Sequence, residues 1–217
     1  RDRPWPGSVA VYGSASDSDY GLISVIGARS IIGRTETPLA RAASGRFDDG
    51  TSVRVKLLTG NLSSVEDKAL LSGANLAAIG DGTPDGWELF QFGVANLVDE
   101  NTYEVSHRLR GQAGTDGTMP AVWPQVSWFV VLNGLPEQID LARNLRGVSL
   151  NYRIGPAQRL VDDPSYSETT AAFAGNGLRP YTPVHVSAER IGAGGYDIRW
   201  IRRTRLDGDT WDTPEVP

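Results

Sequence analysis

Cysteine is absent from the 217-residue chain, and histidine occurs only twice. Without thiols there is no disulfide framework, no thiolate nucleophile and no cysteine-ligated zinc or iron–sulfur centre. With only His107 and His185 to draw on, a multi-histidine metal site is not expected either. No apolar run approaches the roughly 18 residues that a membrane-crossing helix needs. A surplus of positive charge is also missing: 21 Lys and Arg face 26 Asp and Glu. Proteins that grip a nucleic-acid backbone normally present a basic face, so no direct nucleic-acid grip is expected.

What is present points to an all-β fold. Apolar residues make up 40% of the chain and charged residues 22%, enough for a packed core. The 25 glycines and 13 prolines are spread along the chain and suit many turns between short strands. Period-two alternation dominates, the mark of half-buried strands. In TSVRVKLLTG, Val53, Val55 and Leu57 point one way while Arg54 and Lys56 point the other. In GVSLNYRIGP, Val148, Leu150, Tyr152 and Ile154 alternate with Ser149, Asn151 and Arg153. WFVVL, from Trp128 to Leu132, is apolar on both faces, as in the core of a sandwich. DDG, GDGTPDG, GTDG and LDGD supply turn chemistry between such runs. One segment reads as a short helix: in SSVEDKALLSG, Ser63 and Glu66 match a capping box, Ala69 and Leu70 face the core, and Gly73 ends it.

The stretch YEVSHRLRGQAGTDG, residues 103–117, carries the most chemistry. Strict alternation puts Tyr103, Val105, His107 and Leu109 on one face, which predicts a buried, hydrogen-bonded imidazole at His107 and no catalytic role. Glu104, Arg108 and Arg110 then form a solvated or subunit-facing surface. GQAGTDG lacks the Gly-Lys-Ser/Thr ending of a phosphate-cradling loop and reads as a turn. Asp207, Asp209 and Asp212 lack the spacing of an EF-hand, and a hairpin turn at Asp207-Gly208 explains them better than calcium. Asp48-Asp49, Asp99-Glu100 and Asp162-Asp163 adjoin turns, and nothing singles out the facing carboxylate pair of a glycoside hydrolase. Among the six tryptophans, Trp128 and Trp200 fall within strand patterns and are expected in the core. Trp5 and Trp123 adjoin prolines and are the candidates for an exposed ligand-binding platform. No catalytic residue, metal ligand or cofactor is expected.

Several strings together carry a family resemblance: WELFQFGVANLV, then LRGQAGTDG, LNYRIGPAQRLVDDPSY, GLRPYTPVHVSAER and IRWIRRTRLDGDTW. The chain resembles the large tail-tip hub ("megatron") protein of alphaproteobacterial gene transfer agents and the host-specificity tail-tip proteins of siphophages. The resemblance implies a non-enzymatic virion component at the tail tip, assembled in the bacterial host cytoplasm. It implies a homotrimer of sister subunits, contacts with distal-tail and tape-measure proteins, closure of the tail, and host-envelope contact during DNA delivery. A host-surface glycan or receptor is the implied external partner. It supplies no catalytic motif.

The expected architecture is an antiparallel β-sandwich with a short helix insertion over residues 1–178. Residues 179–217 are expected to form the first strands of a fibronectin type III-like module with Trp200 inward. The chain starts RDRPWPG and stops at PEVP, which reads as a piece of a longer polypeptide. The rival function is a carbohydrate-binding accessory module of a secreted hydrolase; a hydrolase with an unrecognised carboxylate pair ranks behind both.

Overall fold

The structure is a computed structural model that describes residues 7–134, 136, 138–192 and 194–203. The chain divides into two compact units, residues 1–174 and 175–217. The first contains β1 (Val9–Ser14), β2 (Gly21–Ile26), β3 (Ile32–Thr35), β4 (Leu39–Ala40), β5 (Phe47–Asp48) and β6 (Val53–Leu57). After α1 (Asp67–Leu71) come β7 (Leu76–Gly80), β8 (Trp87–Asp99), β9 (Thr102–Gln112), β10 (Val122–Trp123), β11 (Trp128–Val131), β12 (Ser149–Pro156) and β13 (Ser167–Ala172). The second unit contains β14 (Tyr181–Ile191) and β15 (Gly195–Arg203).

The fold is all-β and antiparallel, as the alternation predicts. Its main feature is closure. β6, β3, β11, β7 and β8 follow one another in a single sheet, and β8 pairs back onto β9, which pairs with β6. Six strands thus form a barrel, and β5 adds to β9 beyond β6. Closing a sheet on itself removes the exposed ladder edges of an open one. The inside is filled by alternate residues of each strand: Val53, Val55 and Leu57 from β6, Ala77 and Ile79 from β7, Phe90 and Phe92 from β8, Phe129 and Val131 from β11. Arg54 and Lys56 point outward, as their alternation requires. Leu39 and Trp123 pair as a two-strand cap and belong to the same core.

β13, β12, β1 and β2 form a separate four-stranded sheet with a thin core of Val11, Tyr152 and Ala171. Its β2 edge leaves Leu22, Ile23 and Val25 exposed.

Trp128 is half-buried and is covered by the Arg34 guanidinium, 3.6 Å from the ring centroid, rather than sunk in the core. In the second unit, β14 and β15 make a hairpin. Trp200, expected inward, is 57% exposed there, together with Tyr196, Ile198 and Ile201. A two-stranded sheet has no second layer within itself to bury such residues against.

The helix is shorter than its sequence pattern suggests. Its N-cap is Glu66, no side chain caps it, and the Ser63–Glu66 capping box does not form. Leu70 is fully buried while Ala69 is exposed, and Gly73 ends the helix at φ +99 with its N–H on the Leu70 carbonyl.

Candidate functional site

β9 carries the chemistry, but not in the arrangement that strict alternation predicts. His107 has a left-handed backbone, φ +53. Such a conformation is uncommon outside glycine, though histidine adopts it more often than most residues. Before it, Tyr103 and Val105 lie in the core. After it, Arg108 pairs with the core residue Phe92 and is 1% exposed, and Arg110 is 0% exposed. Cross-strand partners share a face of the sheet. The inward set therefore changes from odd to even positions across His107, and the expected positions of histidine and arginines are exchanged. The arginines are inside and the imidazole is outside the core.

The buried arginines are fully occupied. Arg110 holds Glu88 through two bonds, Nε to Oε1 at 2.6 Å and Nη2 to Oε2 at 2.8 Å. Its Nη1 donates to the Ala40 carbonyl at 2.9 Å and to Asp48 Oδ2 at 3.2 Å. Arg108 Nε donates to the same Asp48 oxygen at 3.0 Å, and its remaining nitrogens donate to the carbonyls of Val105 and Thr51. Glu88 also accepts the Trp123 indole N–H at 2.7 Å and the Gly111 N–H at 3.2 Å. The two arginines offset Asp48 and Glu88, so the cluster is formally neutral, as deeply buried charge generally must be. Burial pushes the Asp48 carboxyl up, but the hydrogen bond and charge of Arg108, with the Gly50 N–H and Arg110, leave it below the usual carboxylate range. These groups lock one end of the barrel, and every nitrogen of the two guanidiniums has at least one acceptor.

Trp123 is consequently not the exposed platform expected. It is 4% exposed, with its N–H committed to Glu88. Trp5, and Asp207, Asp209 and Asp212 with their expected hairpin turn, lie outside the described residues. One sequence signal for the buried cluster was available: Glu88 is a lone carboxylate inside the apolar strand WELFQF. GTDG does form a tight turn, with Gly114 left-handed and a single 3-10 turn at Thr115–Gly117.

His107 sits in a second cluster. Its ring stacks on Phe47 at 4.3 Å and 14°. Nδ1 lies 2.6 Å from Asp49 and Nε2 lies 3.0 Å from Asp67. The hydrogen bond with Asp49 is the main cause that raises the imidazole pKa; partial burial opposes it and Asp67 adds to it. A Cβ on Gly93 of β8 would come within 2.8 Å of the ring, so glycine makes the space that the imidazole occupies. With both nitrogens facing carboxylates, the ring offers no free lone pair for a general base in this geometry. Among the described residues, no group of three or more histidine or acidic side chains is placed to hold a metal ion. His185, by contrast, is exposed on β14.

A third feature is a groove of about 250 Å³ between the four-stranded sheet and the β7–β8 turn. Trp87, Pro84, Tyr152, Phe173 and Ile139 dominate its walls, and no lining residue is charged. Tyr152 is 4% exposed and its hydroxyl has no hydrogen-bond partner. A buried hydroxyl left unpaired costs about 1–3 kcal/mol.

Residues 30–130 match the family model described as Rcc01698-like, C-terminal. No curated protein matches the chain. The matched segment runs from just before β3 to the last residues of β11, and so covers the closed barrel. The match is consistent with a protein associated with a gene transfer agent.

Proposed function

We propose that this chain is a structural component of the tail tip of a gene transfer agent or related phage, acting as part of the hub. The observation that carries the reading is the family match over residues 30–130, which spans the barrel as one unit. The chemistry agrees with a mechanical role. The Arg108–Asp48–Arg110–Glu88 cluster spends its charges on holding the barrel end. In this reading the protein is not an enzyme and needs no cofactor. Sister subunits in a homotrimer, distal-tail and tape-measure proteins, and a host-surface glycan or receptor are its partners. Its place is the virion tail tip, where it helps close the tail and contributes to host contact and DNA delivery.

Cryo-EM of purified particles from the encoding host tests this. The barrel should fit density at the tail tip around a three-fold axis. Particles that lack the chain, or hold it elsewhere, would overturn the reading.

The carbohydrate-binding alternative now rests on the groove and its half-buried Trp87, since Trp123 is buried. Titrating neutral saccharides against the intact chain and against Trp87→Ala separates the two. Saturable binding by the intact chain that Trp87→Ala loses, together with particles that lack this chain at the tip, would favour the accessory module.

A further inference from the structure

The cluster around His107 joins three parts of the barrel wall. His107 belongs to β9, Asp49 to the turn after β5, and Asp67 is the first residue of α1. Phe47 fixes the ring plane by stacking, and Gly93 of β8 leaves room behind it. An imidazolium has two N–H donors and can satisfy both carboxylates at once. A neutral imidazole has one donor and one lone pair, so a carboxylate facing the lone pair is repelled.

We propose that His107, Asp49 and Asp67 form a proton-operated clamp, which pins α1 and the β5–β6 turn to β9 when the ring is charged and lets the N-terminal end of α1 go when it is neutral. The contact distances set which arm opens. Asp49 is closer, at 2.6 Å, and keeps the remaining N–H on Nδ1. The Nε2 lone pair then faces Asp67, so the helix arm opens. Among the described residues, these two carboxylates are the only charged groups within ion-pair distance of the ring. Asp48, next in sequence, is committed to Arg108 and Arg110, and Phe47 and Gly93 carry no charge.

Opening stays local. Leu70 is fully buried, and the Gln91 side chain donates to the carbonyls of Leu70 and Ala74 at 2.6 and 2.8 Å. The C-terminal end of α1 is therefore held from β8 independently of the histidine. Just before α1, the Val65 N–H donates to the Gly93 carbonyl at 2.8 Å and the Ser64 hydroxyl accepts from the Ala95 N–H at 3.0 Å, so release frees the Asp67 turn and does not unfold the helix.

Because the chain has only two histidines, proton NMR of the intact protein can resolve both, with His185→Gln fixing the assignment. The pH is scanned about two units either side of the ordinary histidine value near 6.5. His107 should titrate with a midpoint above the ordinary histidine value, chiefly through its hydrogen bond with Asp49. Amide-exchange protection of Leu70, whose N–H donates to the Glu66 carbonyl in the first turn of α1, should fall on the order of fivefold through the His107 midpoint after correction for intrinsic rates. Protection of β6 and β11 should not change. Asp67→Asn, at an exposed position that should not disturb folding, should lower the His107 midpoint and abolish the step in α1. Four outcomes overturn the clamp: a His107 midpoint at or below about 6.5, no step in α1, a step shared by the barrel strands, or a step that persists in Asp67→Asn.

Discussion

Removing the Glu88 carboxylate would take an acceptor from Nε and Nη2 of Arg110, from the Trp123 indole and from the Gly111 N–H. Arg110 would remain fully buried with only the shared Asp48 oxygen to offset it. Breaking a buried pair from one side typically costs about 3–5 kcal/mol, because the surviving charge stays desolvated. Glu88→Ala should therefore lower the urea-unfolding free energy by that order. A loss below about 1 kcal/mol would mean that the guanidinium regains water in the variant and that the cluster is less enclosed than its exposure indicates. Tyr152 gives the opposite case at the same scale. Its hydroxyl is buried without a partner, so Tyr152→Phe removes a cost and no hydrogen bond. The expected result is an unchanged or higher melting temperature, and a clear drop would reveal a partner for that hydroxyl.

Among the elements, β3 and β6 show how little room barrel closure leaves. Gly33 pairs with Leu57, and a Cβ at Gly33 would lie 2.5 Å from the Lys56 carbonyl oxygen and 3.1 Å from Leu57 Cα. These are backbone atoms that cannot swing aside, so Gly33→Ala should destabilise by roughly 1–3 kcal/mol through overpacking. Gly27, where an added Cβ meets nothing within 4 Å, is the matched control and should change little. Equal melting temperatures for the two variants would contradict the close pairing of these strands. β6 was legible because its apolar face alternates cleanly with an outward one, and β11 because it is a short run apolar on both faces. β9 was not, since a left-handed residue in mid-strand shifts the inward set and histidine gives no sign of it, unlike glycine. The helix was legible in place but not in its cap, because Ser63 sits too far from the first helical turn at Asp67 to bond it. Closure of the large sheet left no mark in the sequence: each strand alternates the same way in a sandwich and in a barrel. The Glu88–Arg110 bond joins residues 22 apart in sequence, and only the β8–β9 register brings them together.

At the scale of the whole molecule, the Asp48 and His107 clusters both sit on the barrel and act at opposite ends of the pH range. The barrel also carries the larger core, whereas the cluster in the four-stranded sheet is built on Val11, Tyr152 and Ala171. Loss of barrel stability should therefore dominate unfolding. Asp48 has a folded pKa below its ordinary value, because Arg108 and its other partners outweigh the upward push of burial. The unfolded chain then binds that proton more readily. The contribution of Asp48 is present above about pH 4 and is lost as the pH falls through the depressed folded value. His107 has a folded pKa above its ordinary value, chiefly through Asp49. Its contribution is present below about pH 6.5 and is lost as the pH rises through the raised folded value. Stability should consequently plateau between those limits and fall on both sides. The alkaline fall should be the smaller, since Asp49 and Asp67 are largely exposed and solvent screens them. Urea midpoints measured across this range in the native chain and in His107→Gln provide the check. The variant should keep the acid limb and flatten the alkaline one. A native chain that gains stability from pH 6.5 upward, or a variant that keeps the alkaline limb, would remove His107 as its cause.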